Sequence, residues 1–250
     1  MNNVELGLGL LSIGREWGVR NVPPPSFETA LSLLQTAFNN GVRFYDTAPA
    51  YADSEKILGE AIATGLLDRR QVAIASKMGE YWDETTSTSF TNHSFTELAA
   101  GIDKSLKLLG NIDLLQLHKA DENNITSDDV FRALNKAENE GIKSFGASVK
   151  DVRTALLACE SGRYDYIQFP YNRANTELKE LFSLTRRFGV KLIINRPFAM
   201  GSLLDSNQTL QLRDLFQYIL DEDFSGYVLT GTSSQHHLLS NINAFRSAGR

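Results

Sequence analysis

One cysteine in 250 residues leaves nothing to pair with, so Cys159 excludes an internal disulfide and a cysteine zinc cluster. It lies in an amphipathic stretch, 153–160, where buried helix packing is its reading. Prolines number only 6, and no Pro/Gly/Ser-rich linker or change of composition divides the chain, so residues 1–250 read as a single domain. Positive charge is short as well: 25 Lys and Arg against 30 Asp and Glu give a formal net charge of -5. Arg69-Arg70 and Arg186-Arg187 are isolated pairs rather than a patch, which excludes a nucleic-acid partner held through many phosphates. No apolar run reaches membrane-spanning length, and Met1-Asn2-Asn3-Val4-Glu5 lacks the basic and apolar regions of a signal peptide, so a cytoplasmic location is expected. What remains is 42% hydrophobic and 22% charged residues, the balance of a globular chain that can bury a large core.

Short β-branched or aromatic runs alternate with longer amphipathic segments about eight times. Strands are expected at 4–10, 42–46, 72–77, 112–118, 144–147, 164–169, 191–195 and 227–229. Helices are expected between them at 27–39, 54–63, 96–109, 128–140, 152–159, 177–188, 210–220 and 235–245. Ser26, Ser54 and Thr176 read as N-caps, and Gly41, Gly65, Gly110, Gly141 and Gly189 as left-handed helix ends. Eight such units close into an α/β fold, the (β/α)8 TIM barrel. A doubly wound open sheet is the rival, but Gly7-Leu8-Gly9-Leu10-Leu11 lacks the third glycine of a dinucleotide loop.

Four polar residues stand where apolar runs end: Asp46, Tyr51 five residues on, Lys77 and His118. In a parallel barrel all four converge on the C-terminal mouth, where function resides. Each alone is an ordinary surface or packing residue; together, on neighbouring strand ends, they make a site. A tyrosine hydroxyl titrates near 10, too high for efficient exchange at neutrality, and a nearby ammonium lowers it. Lys77 is placed to do so, Asp46 to hold Lys77, and His118 to hydrogen-bond a carbonyl oxygen. The set specifies a general acid/base acting on a developing alkoxide.

The stretch Arg43-Phe44-Tyr45-Asp46-Thr47-Ala48-Pro49-Ala50-Tyr51, continuing through Ser54-Glu55 and Leu58-Gly59, resembles the signature of the aldo-keto reductase family. Ile74-Ala75-Ser76-Lys77 and Asp113-Leu114-Leu115-Gln116-Leu117-His118 resemble its next blocks, and the likeness continues to Gly231-Thr232-Ser233-Ser234. It implies reduction of aldehydes or ketones with a nicotinamide cofactor, usually NADPH with NADH possible, and a catalytic tetrad at Asp46, Tyr51, Lys77 and His118, Tyr51 being the acid. It further implies that Ser148 and Gln168 bind the carboxamide, and that Asn195, Arg196, Pro197, Phe198, Gly201, Ser202 and Leu203 lie along the nicotinamide and pyrophosphate. Gly231, Thr232 and Ser233 open a helix that holds an anion, with His237 and Asn241 toward the adenosine.

Some positions depart from the family pattern. Val149 stands where an asparagine is usual, Asn195 where an aromatic ring often stacks, and His237 where an arginine is common. Arg196 or Phe198 is then expected to take part of the nicotinamide contact. Trp17 and Trp82 are expected on the substrate side, favouring hydrophobic or aromatic carbonyls. The chain starts near its first strand and stops after its last helix, which implies a shallow pocket with weak discrimination. The partner is a small carbonyl or alcohol; no metal, membrane or nucleic acid is implied, and a monomer is the default. The alternative is a cofactor-binding regulatory or sensor subunit on the same fold.

Overall fold

The computed structural model describes residues 3–18, 22–204 and 211–249. In chain order the strands are β1 (Val4–Gly9), β2 (Phe44–Asp46), β3 (Ala73–Met78), β4 (Glu80–Asp83), β5 (Thr88–Thr91), β6 (Leu114–Leu117), β7 (Ser144–Ser148), β8 (Tyr166–Pro170), β9 (Lys191–Asn195) and β10 (Gly226–Thr230). The helices are α1 (Leu11–Gly14), α2 (Phe27–Asn39), α3 (Ser54–Ala63), α4 (Phe95–Leu109), α5 (Asp128–Asn139), α6 (Val152–Ser161), α7 (Leu181–Phe188), α8 (Leu212–Leu220) and α9 (Gln235–Ala248). Eight strands form a closed parallel barrel in the order β1-β10-β9-β8-β7-β6-β3-β2, and β4 and β5 form a separate antiparallel hairpin.

Two cores hold the barrel. Outside, each helix lays an apolar stripe on the strands; α2 does so with Ala30, Leu33, Leu34 and Ala37, the spacing of one helical face. Inside, Phe44, Ala75, Leu114, Ile193 and Leu229 fill the barrel, and the Phe44 ring stacks on Tyr227 with centroids 3.7 Å apart. Gly7 makes that filling possible, since a Cβ there would lie 2.7 Å from Leu229 and 2.8 Å from Phe44 side-chain carbons. The interior is packed rather than hollow, so chemistry is left to the strand ends.

The expected punctuation largely holds. Ser26 accepts from the Thr29 amide, and Gly41, Gly65, Gly110, Gly141 and Gly189 all have positive φ. Two expected caps do not hold. Ser54 is the first residue of α3, behind Asp53, and its hydroxyl lies 2.7 Å from Thr47 Oγ1 instead. Thr176 starts a turn in which its carbonyl accepts from the Lys179 amide, and α7 begins only at Leu181. Residue 210, the expected start of α8, lies outside the described residues. The hairpin of β4 and β5 was not expected; the sequence there reads as a loop.

Candidate active site

Asp46 ends β2, Lys77 is next to last in β3, and His118 directly follows β6. Tyr51 ends a single 3-10 turn, Pro49–Tyr51, whose first residue has its φ set by the proline ring. Behind it, Gly14 is pressed against the turn: a Cβ there would stand 1.9 Å from the Tyr51 carbonyl oxygen. Lys77 Nζ donates to Asp46 Oδ2 at 2.6 Å and to the Thr47 carbonyl at 2.9 Å, and both charged side chains are nearly inaccessible. Gln116 Nε2 donates to the other Asp46 oxygen at 2.8 Å. Asp46 is thereby held on both oxygens. The sequence reading missed Gln116, although an amide inside the apolar run 112–117 is a signal of a buried polar contact.

Lys77 Nζ lies 5.0 Å from the centre of the Tyr51 ring, and the His118 ring meets Tyr51 edge-on with centroids 5.9 Å apart. Burial works against the Lys77 ammonium, yet the Asp46 charge and the Tyr51 hydroxyl outweigh it and raise its pKa. For Tyr51 the balance differs from expectation. Burial raises its pKa more than Lys77 lowers it, and Asp46 and Glu80 add to the rise. Part of Tyr51 stays open to the mouth, but the protein around it removes most of the water that would solvate a phenolate. Burial, then Lys77, Lys119 and Arg15, hold His118 well below its ordinary 6.5.

Glu80 is a further residue the sequence did not suggest. It is 5% exposed, and its Oε2 stands 3.1 Å from His118 Nδ1, a close carboxylate–imidazole approach without the alignment of a hydrogen bond. Its Oε1 accepts from Ser89 at 2.8 Å and faces Lys119 Nζ at 3.6 Å. Side chains alternate along β4. Tyr81 accordingly points the other way, packs on Gly101 of α4 and donates to the Glu97 carbonyl.

Around the rest of the mouth, Ser148 ends β7 and is the register partner of Gln168, which stands in the middle of β8 rather than at its expected end, and Asn195 ends β9. Gln168 Oε1 and Asn195 Oδ1 are buried without partners among the described residues, two acceptors that fit the amino group of a carboxamide. Arg196 (φ 54) is exposed above Trp17, with Pro197 buried behind it. Ala199, Met200 and Gly201 carry the backbone round with positive φ, and Ser202 donates to the Ala199 carbonyl. Phe198 is not a stacking surface at the mouth: it meets Phe216 of α8 edge-on at 5.1 Å, and Leu203 is buried with it. Gly231 and Thr232 lead to Ser234, which caps α9 by accepting from the His237 amide; the Thr232 hydroxyl accepts from Ser234 N. His237 is exposed there, and Ser233 is partly so. Asn241 is buried, with its Nδ2 donating to Thr230 Oγ1 at 2.6 Å.

Trp17 and Trp82 are both partly exposed at the mouth. The clefts bounded by Phe182, Arg186 and Asp223 open at the opposite end, beside the starts of β9 and β10, and share none of these residues.

The chain is a parallel eight-stranded βα barrel whose mouth gathers a carboxylate, a phenol, an ammonium and an imidazole. The chain belongs to the Aldo/keto reductase family, whose sequence model matches residues 5–214. It is 28% identical over 207 residues to the uncharacterized oxidoreductase YqkF of Bacillus subtilis (strain 168), covering 80% of this chain. It is 26% identical over 212 residues to L-galactose dehydrogenase of Arabidopsis thaliana, again over 80% of this chain. The chain spans 63% of the length of each of those two relatives. In fold it is similar to the holo form of an aldo-keto reductase from Bacillus halodurans, with a TM-score of 0.82 at 22% identity, covering 96% of this chain and 86% of that one.

Proposed function

We propose that the protein is a nicotinamide-dependent reductase of aldehydes or ketones, able to run the reverse alcohol oxidation, with Tyr51 as proton donor. The observation that carries this reading is the buried chain of Gln116, Asp46 and Lys77 beneath Tyr51. A buried ion pair is a weak device for stability, so its place under an ionisable hydroxyl points to chemistry. Bound reduced nicotinamide supplies the hydride. The Tyr51 hydroxyl gives its proton to the carbonyl oxygen as charge develops there, and the Lys77 ammonium stabilises the phenolate left behind. Asp46 and Gln116 keep that ammonium charged and in place. His118, held neutral, does not compete as the proton donor near neutrality and serves to orient the hydroxyl of the alcohol in the reverse direction.

Ser148, Gln168 and Asn195 would hold the carboxamide, the two unpaired amide oxygens accepting from its amino group. Arg196 and the backbone from Pro197 to Leu203 would follow the pyrophosphate, and Gly231, Thr232, Ser233 and the start of α9 with His237 would take the adenosine phosphate. NADPH is the proposed cofactor. NADH is the alternative, because an imidazole at 237 is a weaker phosphate partner than an arginine would be.

Titration with NADPH and NADH by fluorescence, followed by an assay of carbonyl-dependent oxidation of the one that binds, tests the proposal. Binding of neither sinks it. Tyr51→Phe should lower kcat by roughly 10²- to 10⁴-fold with cofactor affinity unchanged; full activity in that variant removes Tyr51 from the role.

A further inference from the structure

Each of the two tryptophans at the mouth carries an arginine over its ring. The Arg15 guanidinium lies 4.9 Å from the centre of Trp82, and that of Arg196 lies 5.6 Å from the centre of Trp17. Arg15 directly follows Gly14, which touches the backbone of Tyr51, so it leaves the chain beside the proposed acid. Trp82 is two residues from Glu80 on one strand and shares its face. Since Glu80 reaches His118, the ring beneath Arg15 belongs to the same wall of the mouth as that imidazole. Arg15 is thus anchored beside Tyr51 through Gly14 and lies over the wall that carries the His118 contact.

Arg15 is only partly exposed, and its Nε is buried with no acceptor. Among the described residues its side chain makes no hydrogen bond and no ion pair, and its guanidinium lies over the Trp82 ring. The buried carboxylates of the mouth are engaged elsewhere: Glu80 by His118, Lys119 and Ser89, and Asp46 by Lys77 and Gln116. A half-buried guanidinium left without an acceptor is unfavourable, and its planar fork matches the two oxygens of a carboxylate or a phosphate. The stacking on Trp82 holds that fork in one orientation. Its charge also helps hold His118 neutral, which fits its nearness to the imidazole.

We infer that Arg15 is a substrate-recognition residue and that the carbonyl substrate carries an anionic group, a carboxylate or a phosphate, which docks on Arg15 along the Trp82 side of the mouth. The inference rests on the carbonyl-reductase reading of the site. It narrows the aromatic or hydrophobic carbonyl expected from the tryptophans alone to a carbonyl that bears an acid.

The test compares 4-carboxybenzaldehyde with its neutral methyl ester, in the wild type and in Arg15→Met, by steady-state kinetics and by calorimetric binding to the cofactor-loaded protein. The acid should have the lower KM and Kd in the wild type. Arg15→Met should raise both for the acid by about 10- to 100-fold, the loss of a charge-assisted hydrogen bond, and by far less for the ester, so that the acid-to-ester ratio collapses; Arg15→Lys should restore part of the difference. An acid-to-ester ratio equal in wild type and variant overturns the inference, as does an equal loss in cofactor affinity, which would make Arg15 a cofactor residue. Absence of turnover with both aldehydes defeats the carbonyl-reductase reading instead, while calorimetry still decides whether Arg15 selects the acid. Glyceraldehyde 3-phosphate against glyceraldehyde then separates the anions: the pair with the larger Arg15-dependent ratio names carboxylate or phosphate.

Discussion

Glu80 Oε2 lies 3.1 Å from His118 Nδ1, a carboxylate and an imidazole brought together in the wall of the mouth by β4 and the end of β6. A carboxylate facing Nδ1 favours the ring form that carries its proton there. Nε2, with no partner among the described residues, is then left as an acceptor for the hydroxyl of an alcohol.

Replacing Glu80 should therefore change the ring and not only the packing. In Glu80→Leu the His118 proton should move toward Nε2, which nitrogen-15 NMR of His118 reads directly. Alcohol oxidation should slow roughly 10-fold, less than the 10²-fold or more expected for losing an acid–base group itself. An unchanged tautomer would remove the positioning role of Glu80.

The pH profile of each direction follows from the shift at Tyr51. Reduction needs the protonated phenol, whose pKa is raised above 10.0, so the reductive rate should stay level through neutrality and fall only as pH rises through that raised value. Oxidation needs the phenolate and should climb over the same alkaline range. His118, held well below 6.5, should add no inflection between about pH 6 and 8. A reductive limb with its midpoint near neutrality would contradict the proposed acid.

Gly14 has no room for a side chain. Gly14→Ala would drive a methyl group into the Tyr51 carbonyl oxygen, which is backbone and cannot swing aside. The variant should lose about 1–3 kcal/mol of stability and most of its turnover, because the acid itself is displaced. Thermal unfolding and kcat together check this; a variant with wild-type kcat would show that Tyr51 does not depend on that contact.

Much of the barrel was legible because its signals are local. The helix Phe27–Asn39 ends where Gly41 can turn left-handed, and the strand Lys191–Asn195 is an apolar run between turn residues; both bounds were read correctly. The hairpin of β4 and β5 was not legible, since Thr88–Thr91 and Glu80–Asp83 are short and polar and their pairing depends on the mouth they border. The start of α7 was misplaced because Glu177 to Glu180 have helical composition but form a turn. At the site, residues at the ends of apolar runs could be named one by one. What no run of sequence contains is the meeting of Glu80 with His118, or of Gln116 with Asp46, which lies 70 residues away. The direction of the Tyr51 shift was likewise out of reach, because it depends on how much water the protein packed around it excludes.

The barrel closes where β1 pairs with β10, joining Val4 through Leu8 to Gly226 through Thr230. The same first strand runs directly into α1, whose last residue is the Gly14 that seats Tyr51. The first and last strands are thus coupled to the proposed proton donor through one short segment. Fraying at that seam would unseat Tyr51 while the remaining strand pairs stayed intact, so turnover through the proposed acid is tied to the least local strand pairing among the described residues and reports on the closure of the whole ring.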